Sequence, residues 1–496
     1  MTEPARTARG YRAVTVTAAG GTFLSMLDST VTNLAIPDLH RDFFSASVVG
    51  LSWVVSGYAV FFAALLAPAG RLADVLGRRR LFVLGIGLFT LASLLCALAP
   101  SLPILVIARM IQGAGAAAMI PASLAILLLD GPADKRASSI GLWSAASALA
   151  AAVGPSIGGV LVDLFGWRSV FLINLPFGAL LIFSALRLLE RQPRPERGKI
   201  PDPIGTVLLA AGIGALTLGV TEGGSWGWGD VKTIAALALG LLVLVGVVVR
   251  SRSHPVPALD TTLWGNRTFM AANVVSLFYG MAQYPWLLVG VLYITDTWRY
   301  SELQAGLAMS PGAIAASIAA LAMGKIAAKF GGPRFATLFG LVAFLACGVW
   351  FMFGTTEYPA FVSLWLPGGF LVGIGMGAAT YGTSAAAAMS APPLKFASAS
   401  GLNTTARQFG GALGVAILAV MLQLQAAPDG RISLAAYTSV YTVCTGLVLA
   451  ALVVAFVWLR FTPPPAPPAP AAPAAPAASV AAPAAARTEE REPAAD

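Results

Sequence analysis

The sequence predicts an all-α integral membrane protein of fourteen transmembrane helices, and three observations carry that prediction. Of the 496 residues, 57% are hydrophobic and 11% charged, with a mean hydropathy of +0.79; a soluble chain carries about a quarter charged residues. Apolar runs near the ~20 residues that cross a hydrocarbon core recur along the chain. A short charged stretch between two of them, Gly70-Arg71-Leu72-Ala73-Asp74-Val75-Leu76-Gly77-Arg78-Arg79-Arg80, returns 254 residues later (324 minus 70) as Gly324-Lys325-Ile326-Ala327-Ala328-Lys329-Phe330-Gly331-Gly332-Pro333-Arg334. Such a connector, repeated at half the chain's length, marks a duplicated bundle.

In chain order the runs lie at 13–36, 48–68, 81–99, 103–128, 138–162, 169–188, 204–221, 232–249, 269–295, 303–323, 335–353, 361–389, 398–424 and 437–459. The first follows Arg6, Arg9 and Arg12, as a signal peptide would. It is too long for one and lacks a small-residue cleavage site, so it reads as a membrane helix. The repeated stretch follows runs 2 and 10. The halves are therefore 13–188 and 269–460, joined by a linker at 189–268 that contributes two inserted helices, with 1–12 as a short N-terminal segment. The Pro/Ala-rich tail, 461–496, cannot build a core and reads as extended and disordered. A further echo, Gly113-Ala114-Gly115-Ala116-Ala117 against Gly375-Met376-Gly377-Ala378-Ala379, sets Leu371 where the first half has Arg109.

The loops that fall inside when the N-terminus is inside hold eighteen Lys and Arg residues, from Arg71 to Lys395. The outer loops hold five: Arg41, Arg168, Lys232, Arg299 and Arg431. This bias puts both termini in the cytoplasm. The net charge of +9 then sorts by membrane side and does not point to nucleic acid. Cys96, Cys347 and Cys444 are scattered, which excludes a disulfide framework. His40 and His254 are far apart, and no GxxxxGK[ST] occurs, so neither a histidine metal site nor a P-loop is expected. No cofactor follows.

Chemistry concentrates in a few runs. Asp28 is the one carboxylate well inside a predicted span, and an acid at that depth reads as functional by default; the alternative is a salt bridge that only holds helices together. It lies about eight residues from the outer end of its helix, roughly 12 Å at the helical rise, and Arg109 lies roughly 9 Å deep in run 4. The two heights nearly match, although an arginine there can also serve as an anchor. In run 5, Gly154-Pro155-Ser156-Ile157-Gly158-Gly159 combines a helix-bending proline with a smooth packing face. Run 9 carries Tyr279, Gln283 and Trp286 around Pro285 and reads as an interrupted helix of the kind that binds substrate in transporters. With Met26, Asn33, Gln112, Asn403 and Arg407 these form the candidate cavity, against the plainer reading of bundle core.

The Gly70–Arg80 stretch resembles the loop joining helices 2 and 3 in the major facilitator superfamily of transporters. Arg109–Gly115 resembles that superfamily's helix 4 motif, whose arginine is linked to proton transfer. The GPxxGG pattern is similar to the motif that marks exporters. Leu27–Pro37, Gly166–Gly178 and Gly401–Gly411 resemble the fourteen-helix drug:proton antiporter branch, and the likeness extends over residues 13–460. The resemblance implies a proton-coupled antiporter of the bacterial inner membrane, working as a monomer among lipids and exporting small lipophilic or cationic drugs by alternating access. It makes Asp28 and Arg109 the coupling pair, and Gly70, Arg71, Asp74, Gly77, Arg78 and Arg79 the gating residues. Ala328, in place of a second Asp74, and Leu371 depart from the pattern and put the coupling in the first half. An exporter of one endogenous metabolite or self-made antibiotic, and a non-transporting sensor on the same scaffold, remain open.

Overall fold

The computed structural model describes residues 8–43, 48–190, 202–425 and 432–460. The expected N-terminal segment up to residue 7, the linker at 191–201, the tail at 461–496 and Arg431 lie outside the described residues. Among the described residues there are fourteen long helices and no strand. They are α1 Ala8–Val31, α2 Val48–Leu76, α3 Arg78–Ala97, α4 Leu102–Leu129, α5 Arg136–Phe165, α6 Arg168–Leu188 and α7 Pro203–Trp226. After α8 Val231–Ser253 come α9 Arg267–Asp296, α10 Glu302–Ile326, α11 Pro333–Gly354, α12 Leu366–Met389, α13 Phe396–Leu424 and α14 Leu434–Trp458. Thirteen of them are long and apolar enough to cross a membrane. The other, α1, is diluted by Asp28 and by Thr15, Thr17, Thr22 and Thr30.

Three local expectations change. The stretch from Gly70 is not a loop: α2 continues to Leu76, and Gly77 alone separates it from α3. Gly77 turns the corner at φ 103°, a conformation open to glycine and strained for other residues. Nor is α9 interrupted, since it runs unbroken through Pro285. The break falls in α6, which divides at Ile173 into Arg168–Leu172 and Asn174–Leu188, just ahead of the donor-less Pro176.

Duplication is visible in the packing. α3 packs on α4 and α2 on α4; α11 packs likewise on α12 and α10 on α12. α1 packs on α5 and α6, as α9 does on α13 and α14. A Cβ added to Gly115 would lie 2.6 Å from the Phe89 nitrogen, and one added to Gly375 2.7 Å from the Phe344 nitrogen. Gly115 and Gly375 are thus equivalent, 260 residues apart (375 minus 115). The counterpart of Arg109 is therefore Gly369, not Leu371. α7 packs on α8 and also on both α2 and α13, so the inserted pair lies along the seam between the halves. The second half is cored by aromatic rings: Trp286 stands 4.7 Å from Tyr441, 5.2 Å from Phe344 and 5.5 Å from Phe351.

Candidate functional site

The matched depths of Asp28 and Arg109 end in contact. Arg109 Nη1 donates to Asp28 Oδ2 at 2.6 Å, with both side chains buried. The other carboxylate oxygen accepts from Gln112 Nε2 at 2.8 Å and from Asn174 Nδ2 at 2.6 Å. Ser93 Oγ closes the cluster: it accepts from Gln112 at 3.2 Å and Asn174 at 2.9 Å, and donates to the Phe171 carbonyl at 2.9 Å. Arg109 also donates to Gln112 Oε1 at 2.7 Å and to the Val54 carbonyl at 3.0 Å. Its guanidinium lies 4.3 Å from the Tyr58 ring centroid, a favourable cation–π placement.

Every hydrogen-bond partner of Asp28 is thus a donor. Breaking a buried pair of this kind by removing one partner costs about 3–5 kcal/mol. Both carboxylate oxygens are occupied, so a cationic solute has no open face of Asp28 to bind. Gln112, read as a cavity residue, belongs to this network. Ser93 and Asn174 were missed; their only sequence signal is a polar residue inside an apolar run.

Asp74 marks one end of the bundle. It accepts from the Ala397 nitrogen at 3.1 Å, and from the Ser398 nitrogen and Oγ at 2.7 and 2.5 Å. A first-half carboxylate therefore caps the exposed donors at the N-terminus of α13, where the helix dipole favours negative charge. Beside it a Cβ on Gly70 would lie 2.4 Å from the Ala397 carbonyl, so only glycine permits that crossing. At the equivalent crossing of α10 with α5, a Cβ on Gly324 would meet the Ala137 carbonyl at 2.9 Å. The acid's place there is taken by Ala328.

Arg78 and Arg79, expected to latch the halves together, act within the first half. Arg78 pairs with Asp130 at the end of α4, and Arg79 donates to the Leu186 carbonyl of α6 at 2.9 Å. Arg71 donates to the Pro257 carbonyl of the linker at 3.1 Å and lies 3.7 Å from Asp260, which also pairs with Lys395 of the second half at 2.6 Å. Desolvation pushes the Asp260 carboxyl up, but Lys395 and Thr262 outweigh it and hold it below the usual range. Asp260 is a strap across the halves. At the foot of the inserted pair, hydrogen bonding from Arg250 holds Asp202 down to about 2.

The GPxxGG face divides. A Cβ on Gly154 would overlap Thr30, and one on Gly158 would touch Val31 and Leu34 of the first helix and the turn after it, both at 3.0 Å or less; Gly159 has open space. Pro155 faces Gly306 of α10. Of the candidate cavity residues, Tyr279 is buried and donates to the Met376 carbonyl at 3.0 Å. Asn403 donates to Ser276 Oγ at 2.9 Å, and Trp286 is aromatic core. These three serve packing. Asn33 is exposed on the turn following α1, while Met26 and Gln283 are half-buried. Arg407 is 9% exposed.

The family model described as Major Facilitator Superfamily matches residues 18–415 and 268–491. The chain belongs to the major facilitator superfamily. It is similar to the Multidrug resistance protein Stp of Mycobacterium tuberculosis (strain CDC 1551 / Oshkosh), 34% identical over 414 residues, covering 82% of this chain and 75% of Stp. It is also similar to the Cephamycin export protein CmcT of Amycolatopsis lactamdurans, 35% identical over 420 residues, with 83% and 86% covered. The Methylenomycin A resistance protein of Streptomyces coelicolor is 32% identical over 406 residues, with 82% and 84% covered. Among solved structures, the human organic anion transporter MFSD10 (TETRAN) superposes with a TM-score of 0.66 over 90% of this chain and 99% of its own, at 16% identity. That likeness speaks to fold alone. Major facilitator proteins are multi-pass membrane transporters and not enzymes.

Proposed function

We propose that this chain exports small lipophilic compounds in exchange for protons, with the Asp74 end and both termini in the cytoplasm. The observation that carries the coupling is the buried Asp28–Arg109 pair: an acid inside the first half whose charge is balanced by one arginine and three neutral donors and acceptors. A proton reaching Asp28 removes its charge and leaves Arg109 without a counter-charge. Proton binding and disruption of the network are then one event. Asn174, which donates to the carboxyl through Nδ2, also holds a buried Oδ1 without a hydrogen-bond partner.

The second part of the cycle is movement of the halves against each other. The Asp74 cap on α13 and the Gly70 and Gly324 crossings close the cytoplasmic end in the described conformation; outward release and proton entry would occur from this state. Reopening inward requires Asp74 to leave the α13 N-terminus. The relatives named for multidrug resistance and for export of one antibiotic support efflux as the direction. A panel of dyes and antibiotics separates a broad exporter from a dedicated one.

The test is efflux in everted membrane vesicles, read as uncoupler-sensitive accumulation of dye. Asp28→Asn keeps the side chain's shape and cannot exchange a proton, so accumulation should lose its dependence on the pH gradient or stop. Intact, uncoupler-sensitive accumulation in the Asp28→Asn protein would falsify the assignment.

A further inference from the structure

The second half contains a charge that its own side chains leave unanswered. Arg407, on α13, is 9% exposed, and its Nη1 is enclosed without a hydrogen-bond partner. Among the described residues it enters no ion pair, no side-chain hydrogen bond and no cation–π contact. Of the other carboxylates in the spans, Asp28 is bonded to Arg109, Asp74 to the α13 N-terminus, Glu222 to Ser225 and Asp296 to Tyr437, and Asp163 is exposed. An isolated buried cation is strongly disfavoured unless a partner arrives.

Its position says where a partner would come from. Arg407 follows Phe396, the first residue of α13, by eleven positions (407 minus 396), about 16 Å along the helix axis, deep enough that a lipid headgroup does not reach it. α13 packs on α9 and α12 of its own half and on α2 and α4 of the other; Arg407 itself lies where α13 meets α9, near Tyr279 and Tyr284. Gly280 lets α9 come against the Arg407 backbone, which fixes the base of the side chain while its terminal nitrogen stays unsatisfied. The equivalent position in the first half, 260 residues earlier, is the uncharged Ser147, so the charge is not part of the duplicated packing scheme.

We propose that Arg407 is the recognition group for an anionic substrate, a small amphipathic acid whose carboxylate pairs with the guanidinium. The planar fork of arginine matches a carboxylate with two parallel hydrogen bonds. This deepens the export reading and rests on it, and it replaces a cation by an acid as the cargo. With Arg109 paired to Asp28, Arg407 is the buried cation left without an acid among the described residues, a local charge that repels cations and attracts anions. A merely structural arginine would hold helices together, and its loss would destabilise the empty protein.

The full chain in nanodiscs supplies the test, with rhodamine 110, which bears a free carboxyl group, against its methyl ester rhodamine 123. Fluorescence polarisation should show the acid binding about tenfold more tightly than the ester, the scale of one charge-assisted hydrogen-bonded contact. Arg407→Gln should erase that difference, and Arg407→Lys should restore part of it. The melting temperature of ligand-free Arg407→Gln should stay level or rise, because a lone buried charge is gone. Equal binding of acid and ester, binding of neither, or undiminished preference in Arg407→Gln overturns the proposal, as does competition by phosphatidylglycerol, which would make the site a lipid site. The coupling reading fails separately: uncoupler-resistant accumulation in vesicles removes proton exchange and leaves the acid preference standing.

Discussion

The two halves of this protein share their packing and differ in their charge. α3, α4 and α2 of the first half fit together as α11, α12 and α10 do in the second, down to the Gly115/Phe89 and Gly375/Phe344 contacts. Yet the first half holds Asp28, Arg109 and Asp74, where the second has Gly369 in place of the arginine and Ala328 in place of the latch acid. The second half fills its interior with rings, Trp286, Phe344, Phe351 and Tyr441, and among the described residues buries one cation, Arg407. A duplicated fold therefore keeps its geometry while the buried acid–base pair lies in one half and the cluster of rings in the other.

Removing the charge that the second half lacks should have the largest effect. Arg109→Leu leaves Asp28 buried without its counter-charge, and should lower stability by about 3–5 kcal/mol if the acid stays ionised. A neutralised Asp28 would limit that loss and show itself as proton-independent transport, so thermal unfolding in nanodiscs and vesicle flux should be measured together. A melting temperature and coupling like the parent's would mean that the pair is not the polar keystone of the first half.

The next prediction makes the first half resemble the second in shape. Gly158 corresponds to Leu418, a buried leucine (418 minus 260). Gly158→Leu must push against Val31 and Leu34, with overpacking costing about 1–3 kcal/mol, and transport should fall severalfold. Gly159→Leu enters open space and should be nearly neutral. Equal loss at both positions would reduce the GPxxGG pattern to general sensitivity of α5.

How much of this was legible in the sequence depended on which physics governed each feature. Fixed helical rise made the depths of Asp28 and Arg109 computable, and they met. Gln112, three residues on from Arg109 and therefore on the same helix face, could have been joined to them on the same grounds. Asn174 and Ser93 could not: they converge through the packing of α3 on α6, which is a tertiary event. The register of α12 was misread because Gly373, Gly375 and Gly377 recur at every second residue. A glycine pattern with that spacing aligns equally well two residues away. The charged stretch after Gly70 looked like a loop because arginines mark membrane edges; in space it is the end of a helix, which needs only one glycine to turn.

The smallest expected effects test the difference between the two crossings. Asp74→Asn removes a charge from the α13 N-terminus but keeps an acceptor, so the cap should weaken by about 0.5–2 kcal/mol. Turnover should drop while expression holds, and a cysteine at Ser398 should become easier to label from the cytoplasm. Ala328→Asp, the reverse graft, lies at a crossing already closed by Gly324 and Gly141, and should change flux less than twofold, within about 0.5 kcal/mol for an ordinary surface-type substitution. If Asp74→Asn is silent and Ala328→Asp is not, the assignment of latch and plain contact must be exchanged.

The inserted pair has a consequence for how cargo arrives. α7 lies against both α2 and α13, so the seam between those two helices is shielded from the bilayer. The opposite seam, where α5 meets α10, carries exposed aliphatics: Leu149 and Val160 on α5, and Leu307, Ile314 and Ile318 on α10. Apolar solutes concentrate in the hydrocarbon phase, which makes the bilayer a two-dimensional reservoir around the protein. A molecule collected from that reservoir meets the added pair on one side of the bundle and the bare α5–α10 seam on the other, and the two added helices give an otherwise near-symmetric transporter a front and a back.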